Sequence, residues 1–139
     1  MTTTLLLRIA SVISLLFTVG HSLGGLNEWS PMGKTDVLKA MTDSHFEILG
    51  ASRSYLDFFL GFGWSISVFM LLQTALLWQM ASLARVDAAQ VRPMIVMFAL
   101  AVLANGVIAW WFLFLLPVLF SGVFLVVLVV AYAVAARRS

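Results

Sequence analysis

The fold is decided by the longest uncharged stretch of the chain, residues 93–136, which reads PMIVMFALAVLANGVIAWWFLFLLPVLFSGVFLVVLVVAYAVAA. It contains 44 consecutive residues without Asp, Glu, Lys or Arg. A transmembrane helix needs about 20 mainly apolar residues, so this stretch is long enough for two crossings. Pro117 divides it and predicts the turn of a tight helical hairpin, with spans at about 94–116 and 119–136.

Two shorter uncharged stretches supply the remaining crossings. Residues 9–27 and 58–84 each have the length for one helix, and the predicted spans are about 5–23 and 55–83. Helices are expected because lipid cannot satisfy open backbone groups and because the apolar runs are continuous. The first span is expected to stay as an anchor, since Arg8 interrupts its start and no clean A-x-A cleavage site follows.

The composition agrees with a membrane protein and excludes other classes. Only 14 of the 139 residues are charged and 63% are hydrophobic, whereas an ordinary soluble domain is about a quarter charged. The net charge of +2, without a basic cluster beyond the C-terminal arginine pair, excludes nucleic acid as a partner. The chain has no cysteine, so disulfides, thiol catalysis and cysteine-ligated metals are excluded. We predict one all-α transmembrane domain over 1–139, a four-helix bundle.

The charges are sorted between the two sides of this predicted bundle. Five basic residues fall on the side of the termini: Arg8, Arg85, Arg92, Arg137 and Arg138. Three fall on the opposite side: Lys34, Lys39 and Arg53. Because Lys and Arg in short loops favour the cytoplasm, we expect both termini to be cytoplasmic.

Segment 28–57 is the only sizeable polar stretch, and it holds eight of the 14 charges. Thr35 is a candidate helix cap. Four side chains follow it at helical spacing: Val37, Met41, His45 and Ile48. The pattern predicts a short amphipathic helix at about 35–49, lying on the extracytoplasmic membrane surface between the first two spans.

The candidate site residues cluster in or beside this segment. Arg53 and Asp57 are spaced i, i+4 and are expected to pair on one helical face where the second span begins. This pair either pins the helix at the interface or belongs to a polar pocket, since ionisable groups at membrane depth usually face the bundle interior. The predicted binding cluster is His21, His45, Glu47, Arg53, Tyr55, Asp57 and Trp64.

Different functions remain open for this cluster. The leading hypothesis is a non-enzymatic protein that binds a lipid, a lipophilic molecule or partner helices, with the bilayer itself as a partner. The alternative is a membrane-embedded acid–base enzyme of the isomerase type. Its candidate catalytic groups are His21, His45, Glu47 and Asp57. A third possibility is a structural subunit of a larger complex or a homo-oligomer.

Two histidines are too few to indicate haem, and no HxxxH or HxxE spacing occurs, so neither cofactor nor metal is expected.

Polar residues inside the spans have a simpler interpretation. The first span carries a stripe of small side chains: Ser11, Ser14, Thr18, Ser22 and Gly25. Gln73 and Gln79 lie in the second span, and Asn105 lies in the third. Such residues commonly allow close helix packing and form hydrogen bonds between helices.

Several short motifs carry a family resemblance. They are Gly20-His21-Ser22, His45-Phe46-Glu47, Gly50, Arg53-Ser54-Tyr55 and the run Asp57-Phe58-Phe59-Leu60-Gly61-Phe62-Gly63. With these motifs the chain resembles an uncharacterised family of small bacterial four-span inner-membrane proteins over nearly its whole length. The resemblance implies a four-helix inner-membrane protein, and it assigns no substrate or catalytic residue.

Overall fold

A computed structural model describes residues 2–137. Its helices are α1 (Thr3–Gly25), α2 (Asp36–Asp43), α3 (Tyr55–Leu83), α4 (Arg92–Phe112) and α5 (Leu115–Ala136), and its strands are β1 (His45–Ile48) and β2 (Ala51–Ser54). Four helices, α1, α3, α4 and α5, are long and apolar enough to cross a membrane. The chain is therefore a multi-pass integral membrane protein, and the predicted architecture of four long apolar helices with a short helix between the first two is confirmed.

The described residues form two compact units. The first unit joins the residues up to Phe17 with those from Leu72 onwards, and the second unit is Thr18–Leu71. Helices α1 and α3 each contribute one part to each unit. The uncharged 93–136 stretch belongs to the first unit, and the whole polar segment 28–57 belongs to the second.

The first unit is a packing of four helical segments around one core. Each long helix contributes a side chain with no exposed surface: Leu7, Leu77, Ile95 and Leu128. Alanines share this core, including Ala10, Ala81 and Ala131. Small side chains allow helix backbones to approach closely, which favours association in a lipid environment where burial of apolar surface gives little driving force.

The turn between α4 and α5 lies at Leu113 and Phe114 instead of at Pro117. Helix α4 ends at Phe112, and the N–H of Leu113 donates to the carbonyl oxygen of Ala109 at 2.9 Å. Pro117 lies inside the first turn of α5. The first N–H groups of a helix have no intrahelical acceptor, so a proline there sacrifices no hydrogen bond and does not break the helix.

The polar segment is helical over only part of the predicted range. Thr35 caps α2, since its Oγ1 accepts from the N–H of Leu38 at 3.3 Å. The helix ends at Asp43, and the prediction that it continues to residue 49 is wrong, because β1 and β2 form an antiparallel hairpin there. Leu49 and Gly50 connect the strands with φ values of 50° and 81°. Two positive φ angles in a two-residue loop match the twist of a hairpin.

Candidate functional site

All seven predicted site residues belong to the second unit. The helix and strand positions are His21 in α1, His45 and Glu47 in β1, Arg53 in β2, and Tyr55, Asp57 and Trp64 in α3. They do not form one cluster. His21 and Trp64 pack around Trp29, which follows α1. Arg53 and Asp57 instead line one depression at the start of α3.

Trp29 organises the first group, although it lies outside the residues that the sequence pattern singles out. Its indole Nε1–H donates to the carbonyl oxygen of His21 at 2.8 Å. Its ring contacts His21 at 5.2 Å between centroids, and Trp64 meets it edge-on at 5.1 Å. The Nε2–H of His21 in turn donates to the carbonyl oxygen of Gly63 at 3.2 Å. These contacts give His21 a packing role that joins the end of α1 to α3.

Three glycines make the slot in which Trp29 lies. A Cβ atom at Gly63 would stand 2.4 Å from the Trp29 ring, one at Gly25 would stand 2.8 Å away, and one at Gly24 would stand 3.1 Å away. Trp29 and the preceding Glu28 both have positive φ, 47° and 58°. Such backbone strain costs on the order of 1 kcal/mol per residue and persists only where surrounding contacts hold it. We call Trp29 with Gly24, Gly25 and Gly63 the Trp29 slot.

The second group begins as a helix cap. The N–H of Ser54 donates to Asp57 Oδ2 at 2.8 Å, and the N–H of Asp57 donates to Ser54 Oγ at 3.1 Å. This reciprocal capping box fixes the first turn of α3. Arg53 belongs to β2, so the helical i, i+4 geometry expected for Arg53 and Asp57 does not apply. Its Nη1–H donates instead to the carbonyl oxygen of Ser52 at 2.7 Å.

Arg53 and Asp57 nevertheless share one depression, which we call the α3 groove. It has a volume of about 400 Å³ and is lined by Arg53, Asp57, Phe58, Gly61, Phe62 and Ser65. Gly61 and Ser65 follow Asp57 along one helical face. Phe58 and Phe62 lie edge to face beside them, at 5.6 Å between ring centroids. With a rise of about 1.5 Å per residue, the groove extends about 12 Å from the charged end into the apolar part of α3.

The other predicted site residues lie outside the α3 groove. His45 is exposed, and its Nδ1–H donates to the carbonyl oxygen of Asp43 at 3.1 Å. Glu47 is exposed and pairs with Ser52 in the hairpin register. Tyr55 packs against Phe46 of β1, at 5.2 Å between ring centroids. Neither histidine lines the groove, so the four acid–base candidates are not gathered in one depression.

Some polar residues of the first unit form the hydrogen bonds between helices that the sequence predicts. Gln73 Nε2–H and Thr74 Oγ1–H both donate to Ser14 Oγ, at 3.1 and 2.8 Å, and Ser11 Oγ–H donates to the carbonyl oxygen of Thr74 at 2.8 Å. These bonds join α1 to α3, as predicted. Asn105 differs, because its exposed side chain donates to the carbonyl oxygen of Ala101 one turn earlier in α4.

Within residues 2–137, no three His, Asp or Glu side chains are arranged to hold a metal ion. Comparisons with protein-family models, with curated proteins and with solved structures gave no match to this chain. The α3 groove combines two opposite charges with an apolar helix face, and this combination suits an amphipathic ligand.

Proposed function

We propose that this integral membrane protein binds a phospholipid with a zwitterionic headgroup in the α3 groove. The observation that carries the proposal is the presence of two opposite charges, Arg53 and Asp57, at one end of a groove that continues along a membrane-spanning helix. A phospholipid that carries an amine has the same order of groups, with a phosphate and an ammonium at one end and acyl chains at the other.

The charged end suits such a headgroup. The guanidinium of Arg53 has five N–H donors, and the bond to Ser52 uses one of them. The remaining fork matches the oxygens of a phosphate. Asp57 accepts a hydrogen bond from Ser54 at Oδ2, and a carboxylate retains further acceptor sites for an ammonium group. Both side chains are exposed, so neither charge has to be moved out of a protein core before the lipid binds.

The apolar end suits an acyl chain. A Cβ built on Gly61 would have no heavy atom within 4 Å, so the floor of the groove is open at this residue. The rings of Phe58 and Phe62 give one wall that a methylene chain can contact. Burial of apolar area adds little for a chain that leaves lipid, so we assign the selectivity to the headgroup and the fit to the groove.

The first prediction concerns selective lipid binding. We expect the purified protein to retain phosphatidylethanolamine over phosphatidylglycerol in native mass spectrometry. Gly61→Leu fills the floor of the groove, and Arg53→Gln removes the phosphate partner, so each should weaken retention about tenfold, which corresponds to about 1.4 kcal/mol.

Gly20→Leu is the matched control for this experiment. Gly20 also has no heavy atom within 4 Å of a built Cβ, and it lies on α1, outside the groove. Retention should be unchanged in this variant. Equal retention by wild type and Gly61→Leu, or equal retention of the two lipids, would contradict the proposal.

The lipid would come from the leaflet that faces segment 28–57. We propose that this side is extracytoplasmic in a bacterial inner membrane, because five of the eight Lys and Arg residues lie on the side of the termini. A green fluorescent protein fused after the C-terminus should therefore be fluorescent, and an alkaline phosphatase fused there should be inactive. The opposite pair of results would reverse the orientation.

A further inference from the structure

The β1–β2 hairpin has one apolar face and one polar face. Its register pairs His45 with Ser54, Phe46 with Arg53, Glu47 with Ser52 and Ile48 with Ala51. Because successive side chains in a strand alternate between faces, cross-strand partners share a face. One face is polar and carries His45, Glu47, Ser52 and Ser54. The opposite face carries Phe46, Ile48, Ala51 and Arg53.

The apolar face is turned toward α3. The ring of Phe46 lies 5.2 Å from that of Tyr55 and 5.3 Å from that of Phe58, between centroids. Arg53, on the same face, lines the α3 groove. The long arginine side chain can lay its methylenes on apolar surface while its guanidinium stays at headgroup level. On the opposite face His45 and Glu47 are exposed and point away from the membrane-spanning helix, whereas Ser54, at the end of β2, turns back to cap α3.

The tip of the hairpin exposes apolar side chains at a strained backbone position. Leu49 is fully exposed and Ile48 is about half exposed. Leu49 has a φ of 50°, at a turn position where asparagine, aspartate or glycine is favoured. A leucine here strains the backbone and, among the described residues, gains no burial in return. Contact with the apolar part of a bilayer would supply that burial.

The hairpin is also held near the membrane, because β2 is joined directly to a membrane-spanning helix. Strand β2 ends at Ser54 and α3 begins at Tyr55, with no linker between them. A four-residue strand spans about 13 Å, so the tip lies within about that distance of the start of a membrane-spanning helix. This continuity favours the lipid surface over a distant protein partner as the occupant of the apolar face.

We propose that the β1–β2 hairpin is an interfacial membrane anchor. Its apolar face and Leu49 enter the boundary between headgroups and acyl chains, while the face with His45 and Glu47 stays in water. The hairpin thereby holds Arg53 at headgroup level. The anchor requires only the two faces of the hairpin and its apolar tip, and it does not depend on lipid binding in the α3 groove.

The natural absence of cysteine makes the proposal testable with single labels. Leu49→Cys and Glu47→Cys are each labelled with the fluorophore NBD, and the purified protein is reconstituted in phosphatidylethanolamine–phosphatidylglycerol vesicles without any other protein. We expect the label at position 49 to emit at shorter wavelength and to be quenched by lipids that carry a nitroxide on the acyl chain. The label at position 47 should instead be quenched by aqueous iodide. Iodide quenching of both labels, without lipid quenching at position 49, would overturn the proposal.

A second variant separates anchoring from turn formation. Leu49→Asn places a residue favoured at positive φ in the turn, so it should preserve the hairpin while removing the apolar tip. With NBD on Ile48→Cys, we expect lipid quenching to fall at least twofold when Leu49→Asn is added. Unchanged quenching would show that Leu49 does not hold the tip in lipid and would overturn its assigned role.

Discussion

Among alanine substitutions of the three glycines in the Trp29 slot, Gly63→Ala is expected to cause the largest loss of stability. The new Cβ would stand 2.4 Å from a ring carbon of Trp29, a separation that requires one of the two to move. The ring cannot shift freely, because its Nε1–H is bonded to the carbonyl oxygen of His21 and its other edge already lies against Gly25. Trp29 is partly buried, so expelling its ring should cost about 2–3 kcal/mol, which is below the roughly 3–5 kcal/mol typical of truncating a fully buried tryptophan.

Unfolding in detergent, followed by tryptophan fluorescence during an SDS titration, measures this loss. Gly61→Ala is the matched control two residues away in α3, where a built Cβ has no heavy atom within 4 Å. It should leave stability unchanged or raise it by up to about 1 kcal/mol, since alanine is the better helix former.

A double-mutant cycle identifies the clash as the cause. In a Trp29→Ala background the slot is empty, so Gly63→Ala should cost little further free energy of unfolding. An equally large loss in both backgrounds would show that the alanine disturbs something other than Trp29. The cycle also reports on His21, because this histidine bonds both to the backbone of Gly63 and, through its carbonyl, to Trp29.

Ser14→Ala is expected to have the second largest effect. Ser14 is buried, and its Oγ accepts from both Gln73 and Thr74. Removing the hydroxyl takes away the shared acceptor of two donors between α1 and α3. Hydrogen bonds between membrane helices contribute about 0.6–2 kcal/mol each, so we expect a loss of about 1–2 kcal/mol in the same SDS titration.

Ser82→Ala is the control for the serine hydroxyl. Ser82 Oγ–H donates at 3.4 Å to the carbonyl oxygen of Trp78 within α3, so no contact between helices is lost. Its effect should stay within about 0.5 kcal/mol. If Ser14→Ala costs no more than Ser82→Ala, the link between α1 and α3 does not depend on this hydroxyl.

The four spans could be predicted because exclusion of charge from hydrocarbon is a property of composition over about 20 residues. The second predicted span, 55–83, agrees with α3 at Tyr55–Leu83. The packing role of Ser11 and Ser14 could also be predicted, since small polar residues on one helical face have few other uses in a membrane.

The candidate site was less accessible to sequence reasoning. Residues 37–48 fit a helical period, but residues 45–54 also alternate polar and apolar with a period of two, apart from the turn and Arg53. The structure resolves this competition as a hairpin, with the turn at Leu49 and Gly50. Because Arg53 is therefore in a strand, it lines a groove with Asp57 instead of forming the helical pair that the spacing suggested.

Composition alone sets the number of spans, their approximate limits and the position of the charged segment 28–57. These follow from the cost of placing charges in lipid, which each stretch of chain bears independently of its neighbours. The folded chain was needed to show that Trp29 fills a slot made by Gly24, Gly25 and Gly63, and that the charged end of α3 opens into a groove. The slot brings Trp29 against Gly63, which lies 34 residues further along the chain, and no local pattern of residues encodes that distance. The groove is local to residues 53–65, but it requires Arg53 in a strand, and the pairing of β2 with β1 decides this.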